Sequence, residues 1–305
     1  MCTVKNLTFL AIFISIFQNI TLAQNFPKQD EKTSLYGVVD ENGDYIVKPK
    51  YKEIDFNFGY KTGLSYVINP SDKYGFINPA GKEVIPCKYD RIETFENGVI
   101  IVKTKIGDYD YLSGIIDSTG KELIPMKYGH FEYYPLDKVI VFGETNTSNV
   151  GLMDLSGKVI IEPQYEFWSK RISKGIWPVG KNNICGVVDL KNQTIVPFEY
   201  YMIENYSDEL GLAVVKKEAN GKFGFINRIG KLVIAYEYDD AWPSGDYLSV
   251  KKNGKWGLID VNNKIILPLE YSSISSVYKT TAWVTKNEGE DSFEIDLITK
   301  QKIKK

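Results

Sequence analysis

The sequence is poor in the side chains that build most metal and nucleophilic sites. Three cysteines and one histidine occur among 305 residues. That is too few cysteines for a disulfide framework, and we expect Cys87 and Cys185 to pack as small hydrophobic side chains. The lone His130 excludes a histidine-rich metal site and a conventional serine–histidine pair. No metalloprotease motif, phosphate-binding loop or nucleophile elbow is present. The sequence therefore names no catalytic, metal-binding or cofactor-binding residue, and we expect no cofactor.

An excess of one charge and long apolar runs are also lacking. The formal net charge is -2, so no general attraction to nucleic acid or to an anionic membrane is predicted. After the first 23 residues no apolar stretch is long enough to cross a bilayer, which takes about 20 residues. Apolar residues never recur with a sustained period near 3.6, which argues against helices.

The first 23 residues differ from the rest of the chain. Lys5 precedes an almost wholly apolar run at residues 7–17, and Thr21 to Ala23 offer small residues for cleavage before Gln24. This pattern is typical of a secretory signal peptide, and the alternative is an uncleaved N-terminal anchor. We expect a secreted or periplasmic protein with a signal peptide at 1–23, a short linker at 24–34 and a single repeat domain at 35–305.

A glycine followed fourteen residues later by a tyrosine occurs seven times, and the spacing predicts a stack of equal units with loops of variable length. Successive glycines lie 33 to 39 residues apart. The pairs are Gly37/Tyr51, Gly75/Tyr89, Gly114/Tyr128, Gly151/Tyr165, Gly186/Tyr200, Gly224/Tyr238 and Gly257/Tyr271.

The repeat at residues 73–103 shows what each unit contains. Residues 74–77, 83–85 and 99–102 are short β-rich runs, and we predict three strands. Pro86 is predicted to end the second strand by removing a ladder donor. The third strand should pair antiparallel with the first strand of the next repeat. That first strand should in turn pair with the second strand of its own repeat. Seven three-stranded meanders result, with an unpaired hairpin at the N-terminal end and a degenerate hairpin at the C-terminal end. They form a propeller-like or an open superhelical array.

The turn between the first two strands has its own signature. An Asp or Asn stands three residues after every repeat glycine, and a Gly or Asn stands three residues later. Asp or Asn at the first turn position accepts hydrogen bonds from local backbone, and a type I turn followed by a left-handed residue requires Gly or Asn. Asn192 and Asn263 are the two exceptions to glycine, and asparagine tolerates positive φ. The pattern predicts a tight hairpin in every repeat.

The most regular repeat reads KWGLID at residues 255–260, with KFGFIN at 222–227 and KYGFIN at 73–78 as close variants. GKEVIP at 81–86 supplies the second half of the pattern. The chain resembles the bacterial WG-repeat proteins over about residues 35–300, although three repeats replace the aromatic residue by Ser113, Val150 or Cys185. The resemblance implies an all-β array of repeats and a surface or periplasmic binding scaffold without an assigned activity. We expect each repeat glycine to permit close approach of a neighbouring unit.

Departures from the repeat pattern provide the candidate contact residues. Trp242 occupies a position that is polar in the other six repeats, and a large aromatic there is a candidate contact for a protein or a glycan. Local packing against Tyr247 or Pro243 is the alternative. Tyr109 and Tyr111, in the longest loop between strands, are the other candidate partner-binding residues.

Three functions remain open from the sequence. The first is a non-catalytic scaffold that mediates protein–protein interaction. The second is a carbohydrate-binding module, for which Trp177 and Trp283 are further off-pattern aromatics. The third is a glycan-acting hydrolase, which requires two carboxyl groups at a defined separation in a cleft.

Overall fold

The computed structural model describes residues 25–55, 63–94, 98–108, 110–145, 147–166 and 171–303. Every regular element in these ranges is a β-strand, which confirms the all-β prediction. Within the same ranges no helix is long and apolar enough to cross a membrane. The predicted signal peptide lies outside the described residues.

The chain forms two compact units, one up to Lys88 and one from Tyr89 onward. The division falls inside a run of equal repeats, because each repeat packs mainly on its neighbours and a boundary can lie between any two of them. We describe these two units separately.

The first unit contains two antiparallel sheets whose strands are adjacent in chain order. The strands are β1 (Phe26–Gln29), β2 (Tyr36–Val39) and β3 (Tyr45–Tyr51) in one sheet, and β4 (Glu53–Asp55), β5 (Ser65–Ile68), β6 (Tyr74–Ile77) and β7 (Glu83–Tyr89) in the other.

The second unit continues the same arrangement over five sheets. Two of them contain β8 (Arg91–Thr94), β9 (Ile100–Lys105), β10 (Tyr111–Ile116) and β11 (Glu122–Tyr128), then β12 (His130–Tyr134), β13 (Val139–Gly143), β14 (Asn149–Asp154), β15 (Val159–Glu166), β16 (Ile176–Lys181), β17 (Ile184–Asp189) and β18 (Thr194–Tyr200). The other three contain β19 (Met202–Ile203), β20 (Leu212–Lys216), β21 (Phe223–Asn227) and β22 (Leu232–Tyr238), then β23 (Asp240–Ser244), β24 (Tyr247–Lys252), β25 (Lys255–Ile259) and β26 (Ile265–Tyr271), then β27 (Ser273–Tyr278), β28 (Thr281–Thr285) and β29 (Phe293–Asp296). The sheet β12–β18 has seven strands because Glu166 of β15 pairs with Gly180 of β16 and joins two meanders.

The predicted pairing within a meander is confirmed. In the sheet β8–β11, the third strand β9 pairs with the next repeat's first strand β10, which pairs with β11. The structure adds a fourth strand in most repeats, because the described segments that follow the repeat tyrosines begin in an extended conformation, as β8 does against β9. The sequence signal for this strand is a short alternation of apolar and polar residues. In β12, Phe131 and Tyr133 are buried while Glu132 between them is exposed.

The prediction that the prolines end the second strands is wrong. β11 continues through Pro125 as far as Tyr128. Its pairing with β10 shifts between Ser113–Tyr128 and Ile115–Ile124, so the residues from Pro125 to Lys127 bulge out of the ladder. A proline is tolerated in a bulge because its position there requires no ladder donor.

The bulge explains the repeat glycine. A Cβ atom on Gly114 would lie 2.6 Å from the carbonyl oxygen of Ile124 and 2.8 Å from the backbone nitrogen of Met126. A Cβ atom on Gly257 would lie 2.6 Å from the carbonyl oxygen of Leu267. The close approach therefore comes from the second strand of the same repeat, and the prediction of a neighbouring unit is corrected.

The hairpin turns are confirmed in detail. Oδ1 of Asp117 accepts hydrogen bonds from the backbone N–H groups of Thr119 at 2.8 Å and Lys121 at 3.0 Å. The left-handed position that follows is occupied by Gly120 at a φ of +84°. Asn192 and Asn263 occupy the equivalent position at +65° and +64°.

The segment predicted as a linker, residues 24–34, contains strand β1. β1 pairs with β2 from Phe26–Val39 to Gln29–Tyr36, so the N-terminal hairpin is not left unpaired as predicted. All of its side chains are exposed. Because β1 is held in the sheet by its backbone, its sequence shows no alternation of apolar and polar residues.

The cores are clusters that link successive sheets. In the second unit, the fully buried Ile124 of β11 and Ile140 of β13 belong to one cluster. Cys185 belongs to another cluster together with Val215 of β20. Cys87 is half-buried against the cluster of the first unit. Both cysteines are free and pack as small hydrophobic side chains, as predicted.

Two repeat tyrosines also link adjacent repeats through their hydroxyl groups. Tyr165 donates a hydrogen bond to Oδ1 of Asn192 at 2.6 Å, and Tyr238 donates one to Oδ1 of Asn263 at 2.5 Å. These asparagines are the turn residues of the next repeat. The two exceptions to glycine thus combine a left-handed backbone with a side-chain acceptor that glycine lacks.

Candidate functional site

Trp242 lies on β23, half-exposed beside a second indole. Its side chain is 38% exposed, and its ring centroid lies 4.0 Å from that of Trp256 on β25, with an angle of 43° between the planes. This contact with Trp256 was not predicted from the sequence. Trp242 also borders a depression of about 420 Å³ lined by Glu204 and Phe223 among others. We call this depression the Trp242 surface.

Tyr111 begins β10 and lies under the guanidinium group of Arg91, at 4.7 Å from its ring centroid. It lines a polar depression of about 310 Å³ together with His130. Burial lowers the pKa of His130, and the nearby charge of Lys103 lowers it further, so this imidazole is neutral near pH 7. Tyr109, the third candidate contact, lies outside the described residues.

A third depression in the second unit was not predicted from the sequence. It has a volume of about 230 Å³, and its lining consists of Tyr134, Pro135, Leu136, Asp137, Arg171, Ile172, Ser173, Lys174, Tyr206 and Asp208. These residues come from the segments that follow the tyrosines of three consecutive repeats. We call this depression the crossing pocket.

The repeat spacing contains a signal for this pocket. Tyr134, Arg171 and Tyr206 each stand six residues after a repeat tyrosine, and Leu136, Ser173 and Asp208 each stand eight residues after one. The same two positions in consecutive repeats therefore supply most of the walls. The spacing alone does not establish that equivalent positions of three repeats converge on one pocket.

Hydrogen bonds hold the polar side of the crossing pocket in place. Oγ of Ser173 donates to Oδ1 of Asp208 at 2.7 Å. The guanidinium group of Arg228 donates to the backbone oxygen and to Oγ of Ser173, both at 2.9 Å. Arg228 also lies 5.3 Å from the ring centroid of Tyr206, whose hydroxyl donates to the carbonyl oxygen of Asn227 at 3.2 Å. A network of this kind fixes the side chains before any ligand arrives.

The two carboxylates of the pocket are both engaged. Oδ1 of Asp137 accepts a hydrogen bond from the backbone N–H of Gly175 at 2.9 Å. The hydroxyl of Ser173, together with the positive charges of Arg171 and Lys174, lowers the pKa of Asp208 below its usual value. Asp208 is therefore ionised at neutral pH.

The aromatic side of the pocket is uncharged. Burial raises the pKa of Tyr206 and the pKa of Tyr134 above the ordinary tyrosine value. Both hydroxyl groups stay protonated at neutral pH and act as neutral polar edges of largely apolar walls.

Two further sequence expectations concern chemistry elsewhere in the molecule. Trp177 is 1% exposed and belongs to a core cluster, so it cannot contact a glycan at the surface, whereas Trp283 is half-buried. Among the residues that the structure describes, no three His, Cys, Asp or Glu side chains are grouped so that they could hold a metal ion.

Comparison with known proteins relates the chain to one repeat family. The family described as WG containing repeat matches residues 36–67, 74–105, 151–183, 186–222, 223–256 and 256–289. No curated protein sequence matches the chain.

Several solved structures match the chain at low sequence identity. Apo AztD from Citrobacter koseri is 14% identical, with a TM-score of 0.39, over 88% of this chain and 90% of that protein. Hsv2p from Kluyveromyces lactis is 12% identical, with a TM-score of 0.40, over 80% of this chain and 92% of that protein. BamB from Moraxella catarrhalis is 10% identical, with a TM-score of 0.35, over 73% of this chain and 76% of that protein.

Proposed function

Since the chain belongs to the family of WG containing repeats, we propose that it is an exported, non-catalytic scaffold that binds a protein partner through the crossing pocket. The observation that carries the proposal is Leu136, which is 98% exposed at a pocket whose polar side is already ordered. An exposed apolar side chain next to a preformed cavity is a typical anchor point of a protein interface. The segment at residues 1–23 supports export.

The charge state of the pocket supports binding rather than hydrolysis. A glycosidase requires one carboxyl group with a raised pKa to act as general acid. The pKa of Asp208 is lowered instead, by the hydroxyl of Ser173 and the surrounding cations. An ionised, hydrogen-bonded Asp208 is suited to positioning its neighbours and is a poor proton donor.

Site-specific photo-crosslinking tests the proposal in the source organism. Leu136 is replaced by p-benzoylphenylalanine, and a matched control carries the same replacement at Ile298, which is also a highly exposed apolar turn residue, 74% exposed. We expect one protein to crosslink from position 136 and not from position 298, and unlabelled wild-type protein to compete with it to saturation. Absence of a saturable product from position 136, or identical products from both positions, would contradict the proposal.

The Trp242 surface favours carbohydrate binding as a second candidate function. A half-exposed indole next to Trp256, with Glu204 on the same depression, provides a stacking face and a hydrogen-bonding group for a sugar. A glycan array with the wild-type protein and with Trp242→Ala tests this candidate. Binding that the substitution leaves unchanged, or no binding by the wild type, would remove its support.

A further inference from the structure

Most of the charged side chains at the crossing pocket already have hydrogen-bond or ion-pair partners. Its two carboxylates are engaged, Asp137 by a backbone N–H group and Asp208 by Ser173 and Arg228, which lies 3.7 Å away as an ion pair. Nζ of Lys174 donates to the backbone oxygen of Asp208 at 3.1 Å.

Arg171 is the cation left for a ligand. Its side chain is exposed on the pocket wall, and its charge affects the pKa values of both Asp208 and Tyr134. None of the hydrogen bonds or ion pairs described for the pocket residues involves its guanidinium group. The pocket therefore offers the planar cation that is best suited to a carboxylate.

The walls around this cation are largely apolar. Ile172 is buried at 6% exposure, Tyr134 and Tyr206 contribute aromatic rings to the lining, and Leu136 is almost fully exposed at the pocket. A volume of about 230 Å³ admits one apolar side chain with the carboxylate next to it. It is small beside the roughly 300–1,000 Å³ of a cavity that encloses a drug-sized ligand.

We propose that the crossing pocket binds a partner segment in which an apolar side chain stands directly next to a carboxylate, with Arg171 binding the carboxylate and Leu136, Tyr134 and Tyr206 contacting the apolar group. This inference rests on the proposed function, because it specifies which part of the protein partner enters the pocket. The matched charge and the adjoining apolar walls define the chemistry of the occupant.

Two small probes isolate this chemistry. N-acetyl-L-phenylalanine carries an apolar ring next to a carboxylate, and N-acetyl-L-phenylalanine amide is its neutral counterpart. Each is titrated into the purified full-length protein, and binding is followed by amide chemical shifts in the segments that line the pocket. We expect the carboxylate to bind roughly tenfold more tightly than the amide, a difference of about 1.4 kcal/mol, because only the carboxylate can form a charge-assisted hydrogen bond with Arg171.

Three substitutions of arginine identify the group responsible. Arg171→Gln should remove the preference for the carboxylate, and Arg171→Lys should retain part of it. Arg91→Gln is the matched control, because Arg91 is an exposed arginine outside the pocket, and it should leave the preference unchanged. Circular dichroism of each variant checks that the fold is intact.

The outcomes separate this inference from the proposed function. Equal binding of the two probes, binding of neither, or a preference that survives Arg171→Gln overturns the inference, even if position 136 crosslinks to a protein. A preference that requires Arg171 in a protein without a saturable crosslink supports the site chemistry and overturns the protein-scaffold proposal. Shifts confined to residues outside the pocket overturn the inference as well.

Discussion

Replacing Gly114 with alanine tests whether the bulged second strand is the reason for the repeat glycine. The new methyl group would lie 2.6 Å from the carbonyl oxygen of Ile124 and 2.8 Å from two backbone atoms of Met126. These are backbone atoms, so no side-chain rotation relieves the contact and the bulge itself must shift. Overpacking of this kind costs about 1–3 kcal/mol, and we expect the upper half of that range. The smaller entropy of the unfolded alanine chain offsets about 0.4–1 kcal/mol, which leaves a net loss of about 2 kcal/mol.

Gly107→Ala is the matched control for this substitution. Gly107 lies in the same hairpin, and its added methyl group would meet only the side chain of Asp110, at 3.3 Å. Urea unfolding followed by circular dichroism and tryptophan fluorescence gives the free energy of unfolding of both variants. Because both glycines belong to one pair of strands, the two variants report on the same cooperative unit. A difference between them below about 0.5 kcal/mol, which is the usual range for a surface substitution, would refute the reasoning.

Two further predictions concern the links between repeats and the hairpin turns. Tyr165→Phe removes the hydrogen bond to Asn192 and should lower the free energy of unfolding in urea by about 0.5–1.5 kcal/mol, whereas Asn192→Gly should lose the same bond while keeping the left-handed turn. A hydrogen bond from the hydroxyl of Ser156 lowers the pKa of Asp154 in the folded protein, so its stabilising effect is present at neutral pH and is lost as the pH falls through that lowered pKa. Asp154→Asn should therefore reduce the acid-induced loss of stability measured by urea unfolding between pH 7 and pH 3, and an unchanged pH profile would contradict this assignment.

The features that depend on local chemistry were predictable from the sequence. The Asp-to-Gly spacing in each hairpin identified the left-handed positions, including the two occupied by Asn192 and Asn263. The turn is decided within seven residues by side-chain-to-backbone hydrogen bonds and by the steric cost of positive φ. The pairing of strands across the repeat boundary followed from the short polar loops between apolar runs.

The features that depend on backbone alone, or on several repeats together, were not predictable. β1 has four exposed side chains and pairs through its main chain, so nothing in its sequence marks it as a strand. Pro125 was predicted to end its strand because proline lacks a backbone N–H donor. The ladder bulges at that point, so no donor is required there. The crossing pocket depends on three segments, and the position occupied by Tyr134 and Tyr206 carries Arg171 in the repeat between them. A motif search within one repeat cannot detect a site that is built from unlike residues of three repeats.

One repeat has alanine at the bulge position where other repeats have proline. Ala235 occupies the position eleven residues after Gly224, where Pro125, Pro197 and Pro268 stand in other repeats, and β22 shows the same register shift opposite Gly224. If the bulge has the same backbone in every repeat, proline fits at 235 without strain and reduces the entropy of the unfolded chain.

We therefore expect Ala235→Pro to raise the free energy of unfolding by about 0.4–1 kcal/mol and Pro268→Ala to lower it by a similar amount. Urea unfolding measures both variants. Each substitution is the control for the other, because they make opposite changes at the same position of adjacent repeats. A loss of about 3 kcal/mol in Ala235→Pro, which is the cost of proline where its ring clashes or a backbone donor is needed, would mean that the sixth repeat does not share the bulge. The sequence periodicity would then reflect a shared core and shared turns without a shared second strand.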